Sequence, residues 1–344
     1  MWGCRLTAGL AAFESGDPNF AQEFAYEEAD MPRTASAPAG RRRARLAIAA
    51  CGAAAALVAG ALAPATAANT APHTAPKPRA EHYVALGDSF TAGSLIPVQI
   101  DAACGRSNRN YPSLTARRLS PADFRDVSCG GAKTDDMWRP QPGTGKPEQL
   151  AALKSDTTLV SIGIGGNDIG FGEVVRACTY AVPKPIPDGN PCEQRYTKGG
   201  TDQLAERILE TAPKVAAVLG EIRKRSPKAH VIVVGFPAIL SEKAEDAEGC
   251  KASLRMPVGD IPYLRATMRS LNTMLSREAQ LARATYVDTY TPSVDHNACR
   301  PFAERWVEGM YPRAERPAWP FHPNANGEAG MAEAVKQTLA APKV

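Results

Sequence analysis

Four short stretches carry residues whose types and spacing suit nucleophilic attack on a carbonyl group. Gly87-Asp88-Ser89-Phe90-Thr91-Ala92-Gly93 follows directly on an apolar run, which puts a serine where a first strand ends, among small residues, its backbone N–H free to face an oxyanion. Cys129-Gly130-Gly131-Ala132-Lys133-Thr134 and Gly163-Ile164-Gly165-Gly166-Asn167-Asp168 follow two later apolar runs. Both offer backbone N–H donors without Cβ obstruction, and Asn167 adds a side-chain amide donor. Near the C-terminus, His322-Pro323-Asn324-Ala325-Asn326-Gly327 precedes a helix-compatible run to about Leu339, so a histidine can swing back over the same sheet edge. An ordinary Ser-containing turn is the alternative reading of the first block alone. The G-x-S-x-G elbow does not fit, because Thr91 stands two residues after Ser89 where glycine is required. A dinucleotide fingerprint fails as well, since Asp168 stands where G-x-G-x-x-G needs its last glycine.

These blocks need a sheet to bring them to one edge. Apolar runs at His82 to Leu86, Phe124 to Ser128, Thr158 to Ile164, His230 to Gly235 and Thr285 to Asp288 are near-continuous rather than alternating, as buried parallel strands should be. Helical spacing fills Thr201 to Arg225 (Leu204, Ile208, Val215, Val218, Leu219, Ile222) and Tyr263 to Ala282 (Leu264, Met268, Leu271, Leu275, Leu281). Strands alternating with helices predict a three-layer α/β/α sandwich on a five-stranded, mostly parallel sheet, with ligands outside the carboxyl ends of the strands. Two long irregular segments, Thr179 to Gly200 and Ser241 to Pro262, read as walls around the site. Trp138, Trp306, Trp319, Phe171 and Phe321 are candidates for an acyl pocket, although aromatic side chains also serve as core. Asp88 and Asp168 read as short acceptors that tie the N–H groups of tight turns.

The 344 residues allow one large domain or two small ones, and 44% hydrophobic with 22% charged residues exclude global disorder, collagen and a polytopic membrane protein. Forty Lys plus Arg against 36 Asp plus Glu is too small an excess for a nucleic-acid surface. Arg41-Arg42-Arg43-Ala44-Arg45, the uncharged run Leu46 to Leu62 and Ala65-Thr66-Ala67 form a basic, an apolar and a small-x-small region in the order of a cleaved signal peptide. Its Ala-rich composition, two glycines and the stop at Pro64 argue against a membrane anchor, so no span is expected in the mature form. The organisation predicted is an over-extended N-terminus at 1–30 with the true start at Met31, a signal peptide at 31–67, a Pro-rich leader at 68–80 and a catalytic domain at 81–344. Arg42-Arg43 leaves a twin-arginine route open beside the ordinary one. Cys4 and Cys51 fall in the removed part, leaving Cys104, Cys129, Cys178, Cys192, Cys250 and Cys299 for an oxidising compartment. No C-x-x-C pair or zinc spacing occurs among them, which points to disulfides, with nearest-neighbour pairing the simplest of 15 connectivities.

The four blocks, in this order and each at a strand end, resemble those of the GDSL-type, or SGNH, hydrolase superfamily, in particular its secreted bacterial esterases and lipases. The resemblance covers nearly all of 81–340. It implies a flavodoxin-like sheet, Ser89 as nucleophile, Gly131 and Asn167 as oxyanion-hole donors beside the Ser89 N–H, and His322 as general base. Of the other histidines, His73 lies in the leader, His82 and His230 start strands, and His296 reads as a loop residue. The family commonly carries Asp three residues before its histidine, whereas this chain reads Trp319-Pro320-Phe321-His322. A main-chain acceptor is therefore expected, the Trp319 carbonyl orienting His322, with Asp288 and Asp295 as rivals. The implied activity is hydrolysis of carboxylic esters of lipids or small acyl groups, without cofactor or metal, by a secreted protein expected to be monomeric. Phospholipase and carbohydrate acetylesterase are the alternatives on the same fold, and a non-catalytic secreted binding module is a third. A neutral His322 predicts a rate that falls as pH drops through the neighbourhood of about 6.5, moved by its surroundings.

Overall fold

The computed structural model describes residues 81–341. The expected N-terminal extension, signal peptide and leader, Cys4, Cys51 and His73 lie outside the described residues. In chain order the elements are β1 (His82–Gly87), α1 (Ser89–Ala92), β2 (Gln99–Asp101), β3 (Arg106–Ser107), α2 (Tyr111–Leu119), β4 (Asp123–Asp126), β5 (Leu159–Gly163), α3 (Phe171–Cys178), α4 (Pro191–Tyr196), α5 (Gln203–Arg225), β6 (His230–Val234), α6 (Ala247–Leu254), α7 (Ile261–Leu281), β7 (Thr285–Val287) and α8 (Ala325–Ala340).

Five strands form one sheet in the order β4-β1-β5-β6-β7, every pair parallel. Period-two alternation sorts their side chains into two interiors. Val84, Leu86, Val160, Ile162, Val231 and Val233 face a layer that contains α5 and α7. Ile232, Val234 and Val287 pack with Met331 and Val335 of α8 and Tyr111 of α2. Three layers result because both faces of the sheet are apolar and each needs a helical cover. The edge strand β4 is shorter and less buried than β5, which accounts for its boundary shifting from the expected 124–128.

β2 and β3 form a small antiparallel hairpin that the strand pattern did not announce. The two irregular walls contain short helices, α4 in one and α6 in the other. Three disulfides join nearest neighbours: Cys104 to Cys129, Cys178 to Cys192 and Cys250 to Cys299. The first fastens the β2–β3 hairpin to the loop bearing Gly131. Among the described residues no helix is long and apolar enough to cross a membrane.

Candidate active site

β1 ends in a turn fixed from three sides. Gly87 adopts φ +149°, and a Cβ there would collide with the Thr91 side chain and come within 2.6 Å of the Gly163 carbonyl, so only glycine lets the turn close against β5. The Gln149 amide grips the same residue, its Oε1 accepting the Gly87 N–H at 2.8 Å and its Nε2 donating to the Gly87 carbonyl at 2.9 Å. Asp88 caps α1 by accepting the Phe90 N–H. This leaves Ser89 at the first position of α1, half-buried, with its hydroxyl 2.7 Å from Nε2 of His322.

His322 arrives on a loop before α8. Its backbone is laced to the segment 306–310: Glu308 N–H donates to the His322 carbonyl, Phe321 N–H to Gly309 and Asn324 N–H to Trp306. Asn324 caps α8 with its side-chain oxygen and donates through Nδ2 to the Glu308 carboxylate at 2.7 Å. Glu308 is 1% exposed and is paired with Arg316 at 2.8 Å, which lies over the Phe302 ring. A polar cluster thus holds the loop where no regular element does.

The acceptor for the imidazole is main-chain, one residue later than expected. Nδ1 lies 2.7 Å from the Pro320 carbonyl, while the Trp319 carbonyl accepts the His322 backbone N–H at 3.1 Å. Phe321, at φ +63°, reverses the chain so that the Pro320 carbonyl comes under the ring. The rivals are occupied elsewhere: Asp288 accepts the N–H groups of Tyr290 and Thr291, and Asp295 pairs with Lys243. A carbonyl can only accept, so Nδ1 carries the proton and Nε2 presents a lone pair to the serine hydroxyl. Burial, 6% of the residue being exposed, pushes the imidazole pKa down to about 4, and the Pro320 hydrogen bond opposes that only in part. The imidazole is therefore a neutral acceptor well below pH 6.

Two further loops reach the same edge. Gly131 is exposed at φ +76°, and among the described residues no hydrogen bond takes its N–H or that of Ser89. Asn167 donates one amide hydrogen to the Ala132 carbonyl at 3.0 Å, which ties it to the Gly131 loop and leaves its second hydrogen available. Asp168 accepts from both the N–H and the hydroxyl of Thr134, a second tie between the loops. Burial raises the Asp88 carboxyl to about 8 despite its Phe90 hydrogen bond, so its protonated form prevails at pH 7.

An apolar slot of about 70 Å³ opens beside these groups. Of the expected aromatic residues Phe171 and Phe321 line it; Trp138 is exposed and Trp306 stacks on His296. Phe236 also lines it, as do the α7 residues Leu264, Met268 and Leu271, whose helical spacing had marked them only as core. Phe171 meets the His322 ring edge-on at 5.7 Å between centroids, so slot and imidazole adjoin. Gln149 and Glu308 carried no signal in the sequence, since neither belongs to a motif or a periodic run. Among the described residues no group of three or more His, Cys, Asp or Glu side chains could hold a metal ion.

Residues 85–329 match the model of the GDSL-like lipase/acylhydrolase family. Lipase 2 of Streptomyces coelicolor is 38% identical over 261 residues, 75% of this chain and 85% of that protein. Lipase 1 of the same organism is 31% identical over 73% of this chain and 84% of its own length. The crystal structure of phospholipase A1 from Streptomyces albidoflavus superposes with a TM-score of 0.60 at 26% identity, covering 75% of this chain and 99% of that one. The extracellular lipase of Streptomyces rimosus shares the fold, with a TM-score of 0.57 at 24% identity over 75% of this chain and all of that one. With nearly three quarters of its length matched by the family and a relative at this identity, the chain belongs to the GDSL-like lipase/acylhydrolase family and is a carboxylic ester hydrolase.

Proposed function

We propose that the enzyme is an exported esterase or lipase in which Ser89 is the nucleophile, His322 the general base, the Pro320 carbonyl its orienting acceptor, and the N–H groups of Ser89 and Gly131 with the Asn167 amide the oxyanion donors. The observation that carries this reading is the 2.7 Å approach of Ser89 Oγ to an Nε2 whose tautomer is set by a carbonyl on the far side of the ring. Nε2 takes the hydroxyl proton as Oγ adds to the ester carbonyl, and the oxygen that becomes negative is met by the three donors. The imidazolium then returns the proton to the departing alkoxide, leaving an acyl-serine. Water, deprotonated by the same Nε2, attacks the acyl-serine, and Ser89 leaves with the proton as the carboxylic acid is released. A dyad suffices because the third role is to hold a tautomer, which a carbonyl does by geometry.

The apolar slot beside Phe171 suits the acyl portion of a lipid ester. A phospholipid is the second reading, favoured by the likeness to a protein described as phospholipase A1. Export through the signal peptide at 31–67 and a catalytic domain at 81–344 complete the proposal; supporting them are the basic and apolar N-terminal pattern and the extracellular source of one similar structure. The test is initial rates on nitrophenyl esters of two to sixteen carbons and on phosphatidylcholine, with Ser89→Ala and Asp288→Asn in parallel. Loss of at least about 10⁴-fold in Ser89→Ala and retention in Asp288→Asn are expected. Equal activity of Ser89→Ala and wild type, or loss in a folded Asp288→Asn, would overturn the assignment.

A further inference from the structure

The slot beside His322 lies between two helices that are tied together at a distance from the reacting atoms. On one side α3 contributes Phe171, Val174 and Val175 and ends at Cys178, which also lines the slot. Cys178 is bonded to Cys192 of α4. α4 is held in turn by Asp260, whose carboxylate accepts the N–H of Cys192 at 3.1 Å and that of Glu193 at 2.9 Å. Asp260 is wholly buried and immediately precedes α7, the opposite side of the slot. One covalent bond and two hydrogen bonds therefore run from one wall to the other. The start of α3 is secured separately: Arg207 of α5 donates to the Ile169 carbonyl and pairs with Glu173. With both ends tied, α3 cannot drift from α7 without breaking one of these links.

We infer that the Cys178–Cys192–Asp260 brace determines acyl specificity by fixing the separation of α3 and α7. The inference rests on the reading that the slot holds the acyl group. Its physical basis is the short range of packing: a gap of about 0.5–1 Å forfeits about a quarter to a half of the contact attraction. Each methylene kept out of water multiplies binding by about fourfold, so discrimination between chain lengths depends on walls that stay in contact with the chain. The brace touches neither Ser89 nor His322. Its loss should flatten the dependence on chain length and leave the chemistry alone.

The experiment compares wild type with Cys192→Ala, which opens the disulfide but leaves the Cys178 side chain lining the slot, and, separately, with Asp260→Asn, which keeps the side-chain shape but only one acceptor oxygen. Each is assayed on nitrophenyl esters from two to sixteen carbons after folding is verified by circular dichroism. Expected are acetate kcat/KM values within about threefold of wild type, and a ratio of kcat/KM between the best chain and acetate that falls at least about tenfold, carried by KM. Curves parallel to wild type at every length would overturn the brace, and so would a wild type indifferent to chain length. Should Cys192→Ala not fold, Asp260→Asn decides, since it leaves all three disulfides in place. Failure of the underlying reading looks different: Val174→Trp, which fills the slot, would then leave the ratio of kcat/KM between long esters and acetate at its wild-type value.

Discussion

Ser89 and His322 meet at 2.7 Å, yet the regions that deliver them are built on different principles. The Ser89 turn grows out of a central strand: β1 is paired on both sides, Gly87 is gripped by Gln149, and Asp88 caps the next helix. The His322 loop has no strand beneath it. Its position depends on the bonds between 306–310 and 321–324 and on the Glu308–Arg316–Asn324 cluster. The first region is positioned by the fold as a whole, the second by a few buried polar groups. A site assembled in this way should fail differently from its two sides, the strand side through chemistry and the loop side through placement.

The largest effect should come from the strand side. Asn167→Ala removes a proposed oxyanion donor and one tie to the Gly131 loop, and kcat should fall by about 100- to 1000-fold with KM little changed. Steady-state kinetics on a short ester measures it, and a loss below about tenfold would show that Asn167 does not meet the developing charge. On the loop side, Glu308→Ala removes the buried carboxylate shared by Arg316 and Asn324 and leaves them only their bonds to the Phe302 and Arg305 carbonyls. Because Arg316 is partly open to solvent, the loss of stability should sit at the low end for a broken buried pair, about 3 kcal/mol, read by denaturant unfolding. In the protein that remains folded, kcat should drop on the order of 10- to 100-fold through misplaced imidazole, and Glu308→Gln, which retains an acceptor oxygen, should recover most of it. An Ala variant with normal kcat would mean that the loop needs no such support.

The smallest effect, and the sharpest, concerns pH. With the imidazole pKa pushed down to about 4, kcat/KM should stay level to about pH 5 and halve near pH 4, rather than fall through 6.5 as an exposed histidine would dictate. The same depression has a consequence for folding. The unfolded chain binds the proton at the usual value and the native one only near 4, so the stability contributed by neutral His322 is present above about 6.5 and is lost as pH falls towards 4. A folding signal recorded beside the rate separates the two. A limb at 6.5 in fully folded protein would place the imidazole in water.

Much of the strand side could be read from residue order, because a parallel strand is a local apolar run and the residues that follow it must stand at the sheet edge. Ser89, Gly131 and Asn167 each follow such a run. His322 was legible through the helix behind it. Its acceptor was not: which carbonyl lies beneath the ring depends on Phe321 entering the left-handed region, and no spacing rule marks a phenylalanine for that. Gln149 was hidden for a related reason, since its partners are the backbone atoms of a residue 62 positions earlier. The slot was half visible, because the α7 pattern identified residues that face inward without telling core from cavity wall.

His322 lies 233 residues beyond Ser89, and α8 behind it supplies Glu328, whose carboxylate receives the Tyr111 N–H of α2 at 2.6 Å. Bringing groups this distant in sequence together costs the entropy of closing a long loop. While the two segments stay apart, the Ser89 turn has no imidazole against it. On the proposed mechanism, hydrolysis is therefore a report that segments 233 residues apart have met at the sheet edge.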